Sequence, residues 1–168
     1  PGERSINGPW FIGINELEEL DEIFEFAFEK INNSLKVAKE EQAKIDVEKG
    51  TYKSIEIALE RNSFIKYEDT KKVELISKNG KRLIDDSLKG ILKDTKLLDF
   101  KPKELTLEIG NALQKYFFLK ISRRFDGELS YNVKFFDQDC SEEIIYKIEN
   151  WLEKYQPTKV NTFWSQYG

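Results

Sequence analysis

The chain has 168 residues, of which 39% are hydrophobic and 13% aromatic, enough for one domain that buries roughly 70% of its unfolded surface. It carries a net charge of −4, one cysteine and no histidine. That excludes Ser-His-Asp and Cys-His catalysis, His-based metal sites, a His pH switch and an internal disulfide framework. No apolar run approaches the ~20 residues of a membrane helix and no signal-peptide pattern opens the chain, so a cytoplasmic protein is expected. The lack of Met and the start at Pro1-Gly2 fit removal of an initiator Met or excision from a longer protein; the second is the expectation.

Residues 1–13 are rich in Gly, Pro and Asn and predict an irregular arm, anchored by Trp10, Phe11 and Ile12. Asn15 is a suitable N-cap, and Glu16, Glu18, Glu19, Asp21 and Glu22 crowd the positive end of a helix dipole. Leu17, Leu20, Phe24, Ala27 or Phe28, Ile31, Leu35, Ala38 and Ile45 recur at helical spacing, so one long helix is expected over about 15–46. Asn32-Asn33-Ser34 is the point where it could break, because these side chains compete for backbone hydrogen bonds. A sheet is expected under the apolar stripe; a partner or dimer surface is the second reading, and no sustained heptad supports a coiled coil.

After Gly50, Ile55, Ile57 and Leu59 alternate with Glu56 and Ala58 and predict a strand. Phe64–Tyr67 and Val73–Ile76 predict two more. Asn79-Gly80 marks a hairpin turn into a short strand over Arg82–Ile84. Asp85 or Asp86 is placed to cap a short helix near 87–93 with Leu88, Ile91 and Leu92 buried. A basic loop over 94–103 follows.

Glu104 to Phe136 reads as three successive antiparallel strands. Leu105, Leu107 and Ile109 alternate with polar residues. Over Tyr116–Ile121 both faces are apolar, which predicts a central strand covered on two sides. Asp126-Gly127 supplies a tight turn, and Leu129, Tyr131, Val133 and Phe135 alternate beyond it. Asp139 and Glu142 have capping-box spacing ahead of a helix over about 141–155, with Ile144, Ile148, Trp151 and Tyr155 as its stripe. Pro157 stops that helix, and the aromatic tail 157–168 packs back on the domain or meets a partner. The predicted fold class is α+β: a single domain, 1–168, with an antiparallel meander sheet of about six strands packed by a long N-terminal and a C-terminal helix.

Charge is unevenly spread: net −6 over residues 1–50, +5 over 51–136 and −3 over 137–168. Acidic helices against a basic sheet explain this most simply. If Lys71, Lys72, Lys78, Lys81, Arg82, Lys89, Lys93, Lys96, Lys101 and Lys103 shared a face, they would contact phosphates. The chain lacks a recognition helix, an RNP motif and a zinc finger, so nucleic-acid binding is the alternative.

The chemical motifs are weak. Asp137–Ser141 imitates the start of a calcium loop, but Glu142 and Ile148 stand where its Gly and bidentate Glu belong. Cys140 at a helix start has acidic neighbours and no His as base, which argues against a nucleophile. Asp85, Asp86, Glu104 and Glu108 with Lys103 are the elements of a metal-dependent hydrolase, the second alternative. Neither GxxxxGK[ST] nor GxGxxG occurs. In type, the chain resembles small acidic α+β accessory or immunity-like proteins and the sensor domains of larger assemblies. The leading expectation is a non-enzymatic protein-interaction module with no cofactor and no metal. Its partner, a protein or a second copy of the chain, would be met by Phe163, Trp164, Tyr167, Arg123 and Arg124.

Overall fold

The computed structural model describes residues 3–7, 14–62, 65, 68–93, 102–122, 128–135 and 137–155. In chain order they form β1 (Glu3–Asn7), α1 (Ile14–Glu48), α2 (Ile55–Arg61), β2 (Thr70–Ser77), β3 (Arg82–Asp85), α3 (Leu88–Leu92), β4 (Pro102–Gly110), β5 (Lys115–Ser122), β6 (Glu128–Val133) and α4 (Gln138–Tyr155). The class is α+β, as expected. Five strands between Thr70 and Val133 and a sixth from the N-terminal segment make one antiparallel sheet in the order β1-β6-β5-β4-β2-β3.

Register assigns the two faces. Val73, Leu107, Leu119 and Tyr131 lie in one cross-strand row, and Leu75, Leu105, Ile121 and Leu129 in the next. These rows are buried against Leu20, Phe24, Ala27, Ile31 and Leu35 of α1, Ile144, Ile148 and Trp151 of α4, and Leu88 and Ile91 of α3. Each large side chain sealed there contributes roughly 1.5–3 kcal/mol. Helices α1 and α4 run antiparallel: Trp151 Nε1 donates to the Glu16 carbonyl at 3.0 Å, and Ser34 Oγ donates to Asp137 Oδ2 at 2.7 Å at the far end.

The structure corrects several expectations. Residues 3–7 are a strand, pairing from Glu3↔Asn132 to Asn7↔Glu128; they occupy an edge of β6 that would otherwise present unpaired backbone groups. Helix α1 runs unbroken through Asn32-Asn33-Ser34, because Ser34 spends its hydroxyl on Asp137 instead of its own backbone. Residues 55–61 are helix, with Ser54 Oγ accepting the Ile57 N–H at 3.3 Å and Ala58 fully buried. Seven residues fit a period of 2 or 3.6 almost equally well, and the cap decides. The cap of α3 is Ser87, which accepts from Gly90 N–H at 3.0 Å, in place of Asp85 or Asp86. Helix α4 begins at Gln138, with Asp137 Oδ1 accepting the Cys140 N–H at 3.2 Å, so Asp137 takes the role expected of Asp139. Of the strand expected over Phe64–Tyr67, Ile65 is helical and its neighbours lie outside the described residues, as do Trp10, Phe11, Ile12 and Asp126-Gly127.

Strand β5 is central, yet among the described residues its second face carries no helix. Phe117, Leu119 and Ile121 are buried, whereas Phe118 is half-buried under the Lys115 ammonium, 5.3 Å from the ring centre. That open face mixes ion pairs with apolar Ile76, Ile84 and Phe118: Lys120 pairs with Glu104 at 3.5 Å, Lys115 with Glu108 at 3.2 Å, and Arg82 and Lys72 with Glu74 at 3.1 and 3.3 Å.

Helix α1 outruns the sheet. Its 35 residues span about 52 Å at 1.5 Å per residue, whereas the nine residues of β4 span roughly 30 Å. The overhanging end is covered by α2 instead, through Ala43, Ala58 and Ile65 with Tyr52 beside them. Gly50, at φ +76°, lets the chain reverse between the two helices because it has no Cβ to clash in the left-handed region.

Candidate functional site

Among the described residues, the basic side chains of 71–103 do not share a face. Alternation along β2 sends Lys71 to the helix side, where it pairs with Glu25 and lies 5.5 Å from the Phe28 ring centre. Lys72 and Arg82 lie on the open face and straddle Glu74, which is one of the partners that neutralise them. Glu74 Oε1 is in ion contact with Arg82 but accepts no hydrogen bond. Lys78 and Lys81 stand exposed at the β2–β3 turn, and Lys89 and Lys93 are exposed on and just after α3. Lys96 and Lys101 lie outside the described residues.

The carboxylates proposed for a metal site are also separated. Asp85 pairs in register with Val73, on the helix side, whereas Glu104 pairs with Ile76 and Ser122 on the open face. Asp85 Oδ1 accepts the Ser87 N–H at 3.1 Å, and that bond chiefly holds its carboxyl below the ordinary value, with Asp86 adding to it. Its side chain lies so near Gly90 that a methyl group there would sit 2.4 Å from the carboxylate. This is loop architecture. Among the described residues, no three Asp, Glu, Cys or His side chains converge as metal ligands.

Cys140 is buried in the main core. Burial first, then the charges of Asp137 and Glu143, push its thiol up to about 11 against a small opposing effect of Lys30. The thiolate that nucleophilic chemistry needs is therefore scarce at neutral pH. Asp137 is shifted down, chiefly by the Ser34 hydroxyl and then by the Cys140 N–H.

Two features were not visible in the sequence. The first is a polar cluster at the end of the sheet. Lys39 Nζ donates to Asp69 Oδ2 at 2.9 Å, and Asn111 Nδ2 donates to the other Asp69 oxygen at 2.9 Å. The Asp69 side chain is only 2% exposed, so both partners are needed to keep its charge satisfied. Asn111 Oδ1 in turn accepts the Leu113 and Gln114 N–H groups at 2.9 and 3.0 Å, shaping the β4–β5 turn. Tyr116 stands beside this cluster, its phenol raised above 10.0 by burial and then by the Asp69 charge, with Asn111 opposing. A raised phenol and a paired carboxylate fix geometry; they supply no activated nucleophile. The cluster borders a cleft of about 450 Å³ between α1 and α2, floored by Phe28, Leu35, Leu59 and Ile65. A second cleft, about 470 Å³, runs between α1 and α4 past Ile23, Trp151 and Lys147.

The second feature is a concentration of exposed apolar side chains. Of the seven large hydrophobic side chains exposed among the described residues, Val37 (57%), Ile45 (40%), Ile55 (44%) and Leu59 (40%) belong to the lobe made by the end of α1 and α2, while Ile84, Leu113 and Tyr146 stand singly on β3, the β4–β5 turn and α4. The only sequence signal was Ile45, which continues the α1 stripe beyond the reach of the sheet. The expected partner-binding residues Arg123, Arg124, Phe163, Trp164 and Tyr167 lie outside the described residues. No helix among the described residues is long and apolar enough to cross a membrane. No protein-family model matches the chain, and comparison with curated proteins and with solved structures finds no match.

Proposed function

We propose that the chain is a non-enzymatic protein-interaction module of the accessory, sensor or immunity-like type, whose contact surface includes the α1–α2 lobe. The observation that carries this reading is the grouping of Val37, Ile45, Ile55 and Leu59 on one lobe. Single exposed apolar residues are ordinary, whereas a contiguous apolar patch marks a contact surface, and these four are the side chains from which the lobe would build one. The separation of the carboxylates and the raised thiol of Cys140 favour binding over catalysis. The aromatic tail with Phe163, Trp164 and Tyr167, and the pair Arg123-Arg124, belong to the same proposal by composition. A second copy of the chain is one partner such a surface accommodates, and a cytoplasmic setting suits a chain with one buried thiol.

Replacing both Ile55 and Leu59 by Asp tests the reading. Crosslinking and pull-down from the source cell should lose the partner, while the thermal midpoint moves by no more than about 2 °C. Recovery of the same partner at unchanged yield sinks the lobe as the contact surface.

A further inference from the structure

The overhanging end of α1 and α2 have a core of their own, and it is small. Among the described residues it consists of Ala43, Ala58 and Ile65, with Tyr52 packed against them. No residue of it belongs to the main core, which unites α1, α3, α4 and the sheet. Hydrophobic stabilisation scales with buried apolar area, so two alanines and one isoleucine hold α2 far more weakly than Phe24, Leu35 and their neighbours hold the first part of α1.

The lobe is fastened by polar groups instead. Asp46, 8% exposed, accepts from Asn62 Nδ2 at 2.6 Å and Gln42 Nε2 at 2.9 Å. Its main-chain carbonyl accepts from the Thr51 and Tyr52 N–H groups at 2.9 and 3.4 Å. The Lys39–Asp69 pair then pins the start of β2 to α1 at 2.9 Å. Among the described residues, the element that α2 chiefly packs against is α1.

We propose that α2 is a strap that opens from α1 and closes on it as a unit, at a free energy well below that of unfolding the sheet. Cooperative sub-global openings belong to segments with few buried apolar contacts. When the strap opens, Leu59 leaves the cleft it shares with Phe28 and Leu35, and Ala43 loses the cover of Ala58. Access to that cleft is then governed by the strap.

Native-state hydrogen exchange in sub-denaturing urea tests this on the intact chain. The Ala58 and Asn62 amides, which donate to the Ser54 and Ala58 carbonyls, should be at least about a hundredfold less protected than the β4 and β5 amides. Their exchange should depend on urea with a finite slope well below that of the β4 and β5 amides, because opening α2 as a unit exposes only a small part of the surface that global unfolding exposes. Asn62→Ala should lower α2 protection further, by about tenfold, through loss of a hydrogen bond to a buried carboxylate, and leave β4 and β5 unchanged. Equal protection and equal urea slope in α2 and the sheet overturn the strap. So does an Asn62→Ala variant that loosens both regions alike, or neither. If that variant does not fold, the urea dependence of the wild-type chain decides alone.

Discussion

The two ends of α1 obey the same helical spacing and meet different fates. From Leu20 to Leu35 the stripe is sealed: Leu20, Phe24, Ala27, Ile31 and Leu35 are all 1% exposed or less. From Lys36 to Glu48 only Ala43 and Asp46 are buried, and Val37 and Ile45 face outward. Periodicity reports which side of a helix is apolar. It does not report how far the covering layer extends, and here a helix of about 52 Å meets a sheet of about 30 Å. The overhang is left to α2, which offers Ala58 where the sheet offers Leu107, Phe117 and Leu119.

Mutation should expose the contrast. Phe24→Ala, in the sealed part, is expected to cost about 3–5 kcal/mol and lower the urea midpoint of the whole chain. Ile65→Ala, in the lobe, should cost no more than about 2 kcal/mol and act chiefly on α2. Equal losses, each seen by every probe of folding, would mean that the two ends of α1 form one cooperative unit.

A smaller effect comes from the polar side of the sealed part. Asp21, 3% exposed, reaches from α1 to accept the Leu88 N–H at 2.9 Å and so helps to cap α3. Asp21→Ala strands that buried N–H and should cost about 1–3 kcal/mol, read as a lower urea midpoint with unchanged slope. If the cost stays within the scatter of an ordinary surface substitution, the cap contributes nothing.

The smallest effect concerns pH. Asp137, at the junction of the two helices, lies below its ordinary 3.8 in the fold. A depressed carboxyl contributes stability that is present above 3.8 and is lost as pH falls below it through the folded value. Asn caps a helix as well as Asp does, so Asp137→Asn should cost less than about 1 kcal/mol at pH 7 while flattening the loss of stability below pH 3.8. An acid limb as steep as that of the wild type would show that Asp137 does not carry it.

Much of the sheet was legible because one buried face imposes strict alternation: Leu105–Leu107–Ile109 and Leu129–Tyr131–Val133 fall in the rows their spacing predicts. The helix at 55–61 was not, because Ile55, Ile57 and Leu59 alternate like a strand while Ala58, too small to weigh in the pattern, makes the contact. Nor was the strand at 3–7, whose pairing depends on an edge formed more than a hundred residues later. Of the candidate site, the sequence indicated surplus aromatics and an uneven spread of charge. The Lys39–Asp69–Asn111 cluster joins side chains from distant parts of the chain, which no local pattern encodes.

Composition and hydrophobic period are local properties, and they were enough for the class, the apolar side of α1 and the absence of histidine chemistry. Tertiary structure alone decided where the cover ends, which carboxylates serve as caps and which lysines are neutralised. Those outcomes depend on lengths and faces meeting in space: Lys71 and Lys72 are neighbours in the chain, yet they answer to Glu25 and Glu74 on opposite sides of one sheet.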